Sequence, residues 1–135
     1  MTRNRIIAGL VAGLVGGAVF YLAIGAVLGL VAHLLISAVL GVVFGLAFGP
    51  RLKTGGASLV WGEAYGIMWW LLGYLTLLPL ALGNGIFWSV DQIRPFFAFL
   101  IGQVLPFGAV LGLVYYGMMK LLGDEEEAEA EATHN

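Results

Sequence analysis

Polar positions are so rare along this chain that they divide it. Residues 6–49 form a run of 44 without a charged side chain, and His33 is the one group there suited to carry a proton. A bilayer core takes about 20 apolar residues per helix, so the run predicts two transmembrane helices, near 5–27 and 30–49, with a tight turn in 25–29. Pro50 stops the second helix, and the connector 50–56, with Arg51 and Lys53, is the first polar break. A third helix is expected over about 58–82, its last turn bent by Pro79. A fourth is expected over about 95–122, with Ser89 or Asp91 as cap, Pro95 in the first turn and Pro106 as an internal kink. Between them the loop 83–94 carries Asn84-Gly85 and Trp88 and reads as a surface loop, with the indole at headgroup level.

Small residues recur at helical spacing within these runs. Gly9, Gly13 and Gly17 make one stripe, and Ser37, Gly41 and Gly45 make another on the next helix. Stripes of this kind let two backbones approach closely, so the first two helices are expected to pack as a hairpin over about 5–49. Gly62 and Gly66, then Gly108 and Gly112, supply the same device to a second hairpin over about 58–122. Trp69 and Trp70, near the middle of the third helix, point in different directions, so at least one is expected to enter the bundle or meet a partner, with glycine stripes as the natural place for a ring.

The two hairpins also resemble each other. Gly9-x-x-x-Gly13 matches Gly62-x-x-x-Gly66 at an offset of 53, and Ser37-Ala38-Val39-Leu40-Gly41 matches Gly108-Ala109-Val110-Leu111-Gly112 at an offset of 71. Both hairpins start on the same side, so the expectation is a parallel repeat about an axis along the membrane normal.

Composition sharpens this picture. With 61% hydrophobic and 10% charged residues the chain lies outside soluble globular usage, and the fold class expected is all-α integral membrane, four transmembrane helices in one domain over 1–123. The net charge of −2 hides a split: residues 1–123 carry six basic and two acidic groups, and an acidic tail, 124–135, adds six carboxylates. The basic groups are too sparse for a nucleic-acid surface. The tail reads as a solvated segment, or as a frayed extension of the fourth helix, since Ala and Glu favour helix. Arg3, Arg5, Arg51, Lys53 and Lys120 share one side of a four-span topology and only Arg94 lies on the other, which predicts cytoplasmic termini in a cell (inner) membrane. The opening apolar run is much longer than the roughly 7–15 residues of a signal-peptide core and is read as a span.

Residues 33–45, His33 to Gly45, followed by Trp61-Gly62, Gly66-Ile67-Met68-Trp69-Trp70 and Leu78-Pro79, resemble a group of small prokaryotic four-helix membrane proteins, YagU-like proteins among them. The resemblance covers most of 6–117. It implies a histidine in the second hairpin to match His33, where this chain reads Gly102-Gln103-Val104, so the pair that a bis-histidine metal or haem site needs is incomplete. The resemblance carries no activity with it.

Candidate chemistry is thin. Cysteine is absent, which removes disulfides and thiolate metal sites. His33, Glu63 and Gln103 are the candidate functional polar residues, because ionisable groups inside a membrane are costly and often functional. His33 is read first as an interfacial imidazole bonded to a carbonyl or water, and Glu63 as reaching the headgroups or pairing with Arg51 or Lys53, near the opposite face from His33. No nucleophile lies beside a base and no metalloprotease or phosphate-loop pattern occurs, so no enzyme, metal or cofactor is expected. The expected partners are the lipid bilayer and either further copies of the chain or other membrane subunits. The function expected is a non-catalytic accessory or packing subunit. The alternative is a small oligomeric transporter or channel whose polar path uses Glu63, His33 and Gln103.

Overall fold

The computed structural model describes residues 1–24, 29–94, 97, 100–101 and 105–134. Among them four helical stretches are long and apolar enough to cross a membrane: Thr2–Leu22, Leu30–Arg51, Gly55–Ala81 and Leu105–Asp124. The first, α1 (Thr2–Ile24), and the second, α2 (Leu30–Phe48), follow the expected pattern. A single 3-10 turn, Gly49–Arg51, holds Pro50 and closes α2. Helix α3 (Gly55–Trp69) begins three residues before the expected start, because the Thr54 hydroxyl accepts the Ala57 N–H at 3.1 Å and so caps it.

Beyond Trp69 the chain stays helical but widens. Over Trp70–Leu77 the turns are of the i→i+5 kind: the N–H of Leu78 bonds the Gly73 carbonyl, and the Thr76 hydroxyl bonds the Leu71 carbonyl at 2.9 Å. A last short turn, α4 (Leu78–Ala81), contains the buried Pro79. It ends where Asn84 N–H reaches the Pro79 carbonyl and Gly83 N–H the Leu80 carbonyl, with Gly83 at a φ of 75°. This pair of bonds, with its left-handed glycine, terminates a helix without leaving carbonyls unsatisfied. Ser89 and Gln92 then form a reciprocal cap on the short helix α5 (Val90–Ile93). The last helix, α6 (Leu105–His134), contains Pro106 and continues through the acidic tail without a break. The expected start near Pro95 and the turn at 25–28 lie outside the described residues.

The backbone of α1 lies against α2 and α6, and that of α3 against α6. The ring is closed between α2 and α3 by aromatic side chains: Phe48 meets Trp61 at 5.0 Å between ring centroids and Phe44 meets Tyr65 at 5.2 Å. The Tyr65 hydroxyl crosses this gap and donates to the Leu40 carbonyl at 2.8 Å.

Two backbone crossings stand out. In the first, a Cβ added at Gly9 would strike the Gly41 carbonyl, and one added at Gly13 the Ser37 carbonyl. In the second, a Cβ at Gly62 would strike the Gly108 carbonyl and one at Gly112 the Ser58 carbonyl. Each crossing thus has three glycines and one serine at its corners. In the order of these contacts Gly13 stands where Gly62 does and Gly9 where Ser58 does, one helical turn away from the pairing that the glycine spacing suggests.

Candidate functional site

Glu63 is flanked two residues to either side by Trp61 and Tyr65, both of which face α2 through the aromatic seam. Residues two apart on a helix point in nearly opposite directions, so the carboxylate leaves α3 on the other side, along the flank where α3 meets α6. The Glu63 backbone presses on α6: a Cβ at Gly108 would lie 2.9 Å from its Cα. One carboxylate oxygen, Oε2, is buried and has no hydrogen-bond partner among the described residues. Arg51, a partner expected for it, is occupied elsewhere; its guanidinium carbon lies 5.8 Å from the centre of the Trp61 ring. Because Thr54 starts α3 early, Glu63 is eight residues inside the helix, about 12 Å from its first residue.

His33 faces the opposite flank. Its Nε2 lies 3.1 Å from the Gly17 carbonyl, the position of an N–H donor, and its ring stacks on Phe20 at 4.8 Å. The carbonyl is one of the partners expected for this imidazole. The two do not meet: the Tyr65 hydroxyl, two residues beyond Glu63, reaches the Leu40 carbonyl, seven residues or about 10 Å along α2 from His33. They were expected near opposite faces, and among the described residues no contact joins them. Gln103, the third candidate, lies outside the described residues.

The tryptophans enter two different clusters. Trp69 is half-buried against Tyr65, with ring centroids 6.1 Å apart, and its indole N–H has no hydrogen-bond partner among the described residues. Trp70 is buried with Leu75 in a separate cluster and meets Phe97 edge-on at 6.0 Å. Neither is among the atoms nearest Gly9, Gly13, Gly17, Gly41, Gly45, Gly62, Gly108 or Gly112. The rings that fill glycine notches are Phe107, on Gly16, and Tyr115, whose ring lies 2.8 Å from a Cβ placed on Gly45.

The small residues named in advance are distributed as follows. Gly9, Gly13, Ser37 and Gly41 form the α1–α2 crossing, and Gly17 packs on the Ser37 side chain. Gly45 meets the Arg5 carbonyl as well as Tyr115; Gly62, Gly108 and Gly112 form the α3–α6 crossing, and Gly66 is buried on α3.

Several buried polar groups were not foreseen. Tyr115, which resembles an interface anchor in sequence, is only 1% exposed and places its hydroxyl 3.4 Å from the Gly45 carbonyl. Asn4 is buried in the first turn of α1, and Ser58 is wholly buried at the second crossing, its hydroxyl without a partner among the described residues. The signal for Tyr115 was present as Gly108, Gly112 and Tyr115 at steps of four and three, one continuous helix face. Among the described residues no three His, Cys, Asp or Glu side chains gather as a metal would need. Comparison with family models, with curated proteins and with solved structures finds no match.

Proposed function

We propose that this chain is a non-catalytic subunit of a membrane assembly, lodged in a cell (inner) membrane with both termini cytoplasmic. The observation that carries this reading is the buried, unpartnered carboxylate oxygen of Glu63 on the flank of α3. A polar atom deep in a span has no water to turn to, and the usual remedy is a donor on a neighbouring helix. The glycine stripes support the same reading by elimination. The crossing glycines are taken up within the chain, so assembly falls to other surfaces, and the Glu63 flank is the polar one. The partner is a second copy or another membrane subunit presenting a hydrogen-bond donor or a cation. The two hairpins are further read as parallel copies of one ancestral hairpin, aligned through their crossings.

The test is gentle extraction through a tag on the C-terminus, with intact-mass measurement of the assembly for the native chain and for Glu63→Ala. A defined oligomer or complex that falls apart in the variant supports the subunit reading. A monomer in both overturns it.

A second reading, a small oligomeric transporter or channel, is supported by ionisable groups on two helices, Glu63 with its unpartnered buried oxygen on α3 and His33 at the Gly17 carbonyl on α2. It predicts an assembly that persists in Glu63→Gln and His33→Ala while flux through reconstituted vesicles is lost.

A further inference from the structure

The connection from α4 to α5 turns back against the third helix. Pro79 has no N–H to give the carbonyl four residues before it, that of Leu75, and this acceptor instead takes the N–H of Phe87 at 2.8 Å. One residue on, the Trp88 indole donates to the Thr76 hydroxyl at 3.2 Å. The chain therefore doubles back along the third span, level with Thr76, and sets α5 beside the widened turns. Ile93 packs against the Trp70 and Leu75 cluster.

This return leaves a cleft of about 590 Å³ between the widened helix and α5, lined by Trp70, Val90, Asp91, Ile93, Arg94 and Phe97. Its volume is within the roughly 300–1,000 Å³ typical of small-ligand sites. Four of the six lining residues are apolar, and the other two carry opposite charges three residues apart. Asp91 and Arg94 are both exposed, and neither forms an ion pair among the described residues. An apolar slot in a membrane protein admits a hydrocarbon chain. Two unpaired opposite charges on its wall match a headgroup that carries both signs itself.

We infer that this cleft binds one zwitterionic aminophospholipid, an acyl chain against Trp70 and Phe97, the phosphate toward Arg94 and the ammonium toward Asp91. The charge pattern separates this ligand from an anionic lipid. A headgroup with phosphate alone satisfies Arg94 but meets repulsion from Asp91, whereas phosphoethanolamine satisfies both. The inference stands apart from the subunit reading, since the cleft and the Glu63 flank are different surfaces.

The experiment reconstitutes the full chain in nanodiscs of equal parts phosphatidylethanolamine and phosphatidylglycerol, then extracts it and weighs retained lipid by native mass spectrometry. The expected result is one lipid per chain, with phosphatidylethanolamine favoured about tenfold. Asp91→Asn removes most of that preference by admitting phosphatidylglycerol, and Arg94→Gln lowers retention of both. Both side chains are exposed, so neither change threatens folding. Phe97→Ala lowers retention without altering headgroup preference. Equal retention of the two lipids by the native chain overturns the inference, as does no retention, or a preference unmoved by Asp91→Asn.

Discussion

Phe87 hydrogen-bonds the carbonyl of Leu75 at 2.8 Å, and it does so in place of Pro79, the residue that would bond that oxygen in a regular helix if it had an N–H. A proline that interrupts a helix usually bends it and leaves an acceptor to be satisfied from outside. Here the next loop supplies the donor, and a backbone segment that would otherwise run free is drawn back along the third long apolar helix.

Replacing Pro79 by alanine restores the local donor and sets it in competition with Phe87. Loss of a hydrogen bond worth about 1 kcal/mol corresponds to roughly fivefold faster amide exchange at Phe87. Hydrogen exchange on the detergent-solubilised chain measures this directly. An amide as protected as before would show that Leu75 is not what holds the loop.

The crossings predict a sharp contrast between glycines. At Gly41 a methyl group would meet the Gly13 Cα at 2.6 Å, backbone against backbone, whereas at Gly117 and Gly123 it would meet nothing within 4 Å. Gly41→Ala is expected to destabilise the chain by about 2–3 kcal/mol, with no side chain able to give way. Gly117→Ala, by contrast, should stabilise by up to about 1 kcal/mol through helix propensity. Thermal unfolding in one detergent orders the two.

Ser58 and Tyr65 should respond in opposite senses to losing a hydroxyl. The Ser58 hydroxyl is buried without a partner among the described residues, so Ser58→Ala is expected to be neutral or stabilising by about 1 kcal/mol. Tyr65→Phe forfeits the bond to Leu40 across the aromatic seam and should cost about 1 kcal/mol. Tyr115→Phe, whose bond is longer at 3.4 Å, should cost less than Tyr65→Phe. Equal losses at all three would contradict these geometries.

Glu63 separates stability from assembly. In the isolated chain Glu63→Leu is expected to raise stability by up to about 2 kcal/mol, because it removes a buried polar atom without a partner among the described residues. The same change should weaken association. A variant that is both less stable and fully assembled would place the carboxylate in a structural role instead.

The four long apolar helices were legible because hydropathy needs only the length of an apolar run, and the crossing of α1 and α2 was legible because Gly9, Gly13, Ser37 and Gly41 are small at one helical spacing. What hydropathy leaves open in such a chain is direction. In water a polar face marks the outside of a helix, but in lipid both faces are apolar, so nothing in composition separated the buried Tyr115 from an anchor or sent Trp69 and Trp70 to different clusters. Glu63 stands three residues further into α3 than the expected start at 58 implies, because Thr54, a lone threonine before two glycines, starts the helix earlier than the hydropathic run does. The return of the loop was in principle readable from Pro79 alone, since every proline in a helix leaves an acceptor four residues back, but the residue that answers it lies eight positions on.

Helix α6 runs from Leu105 to His134 as one piece of 30 residues, about 45 Å long, and only the part up to Asp124 is apolar enough to cross a membrane. The acidic run is therefore the outer arm of a lever and does not hang as a tether. Its fulcrum is the seat of Tyr115 on Gly45, and its inner arm is the face carrying Gly108 and Gly112 against α3. A tilt of a few degrees at that inner seam swings the far end of the helix bodily, so the end of the helix registers the state of the seam as position.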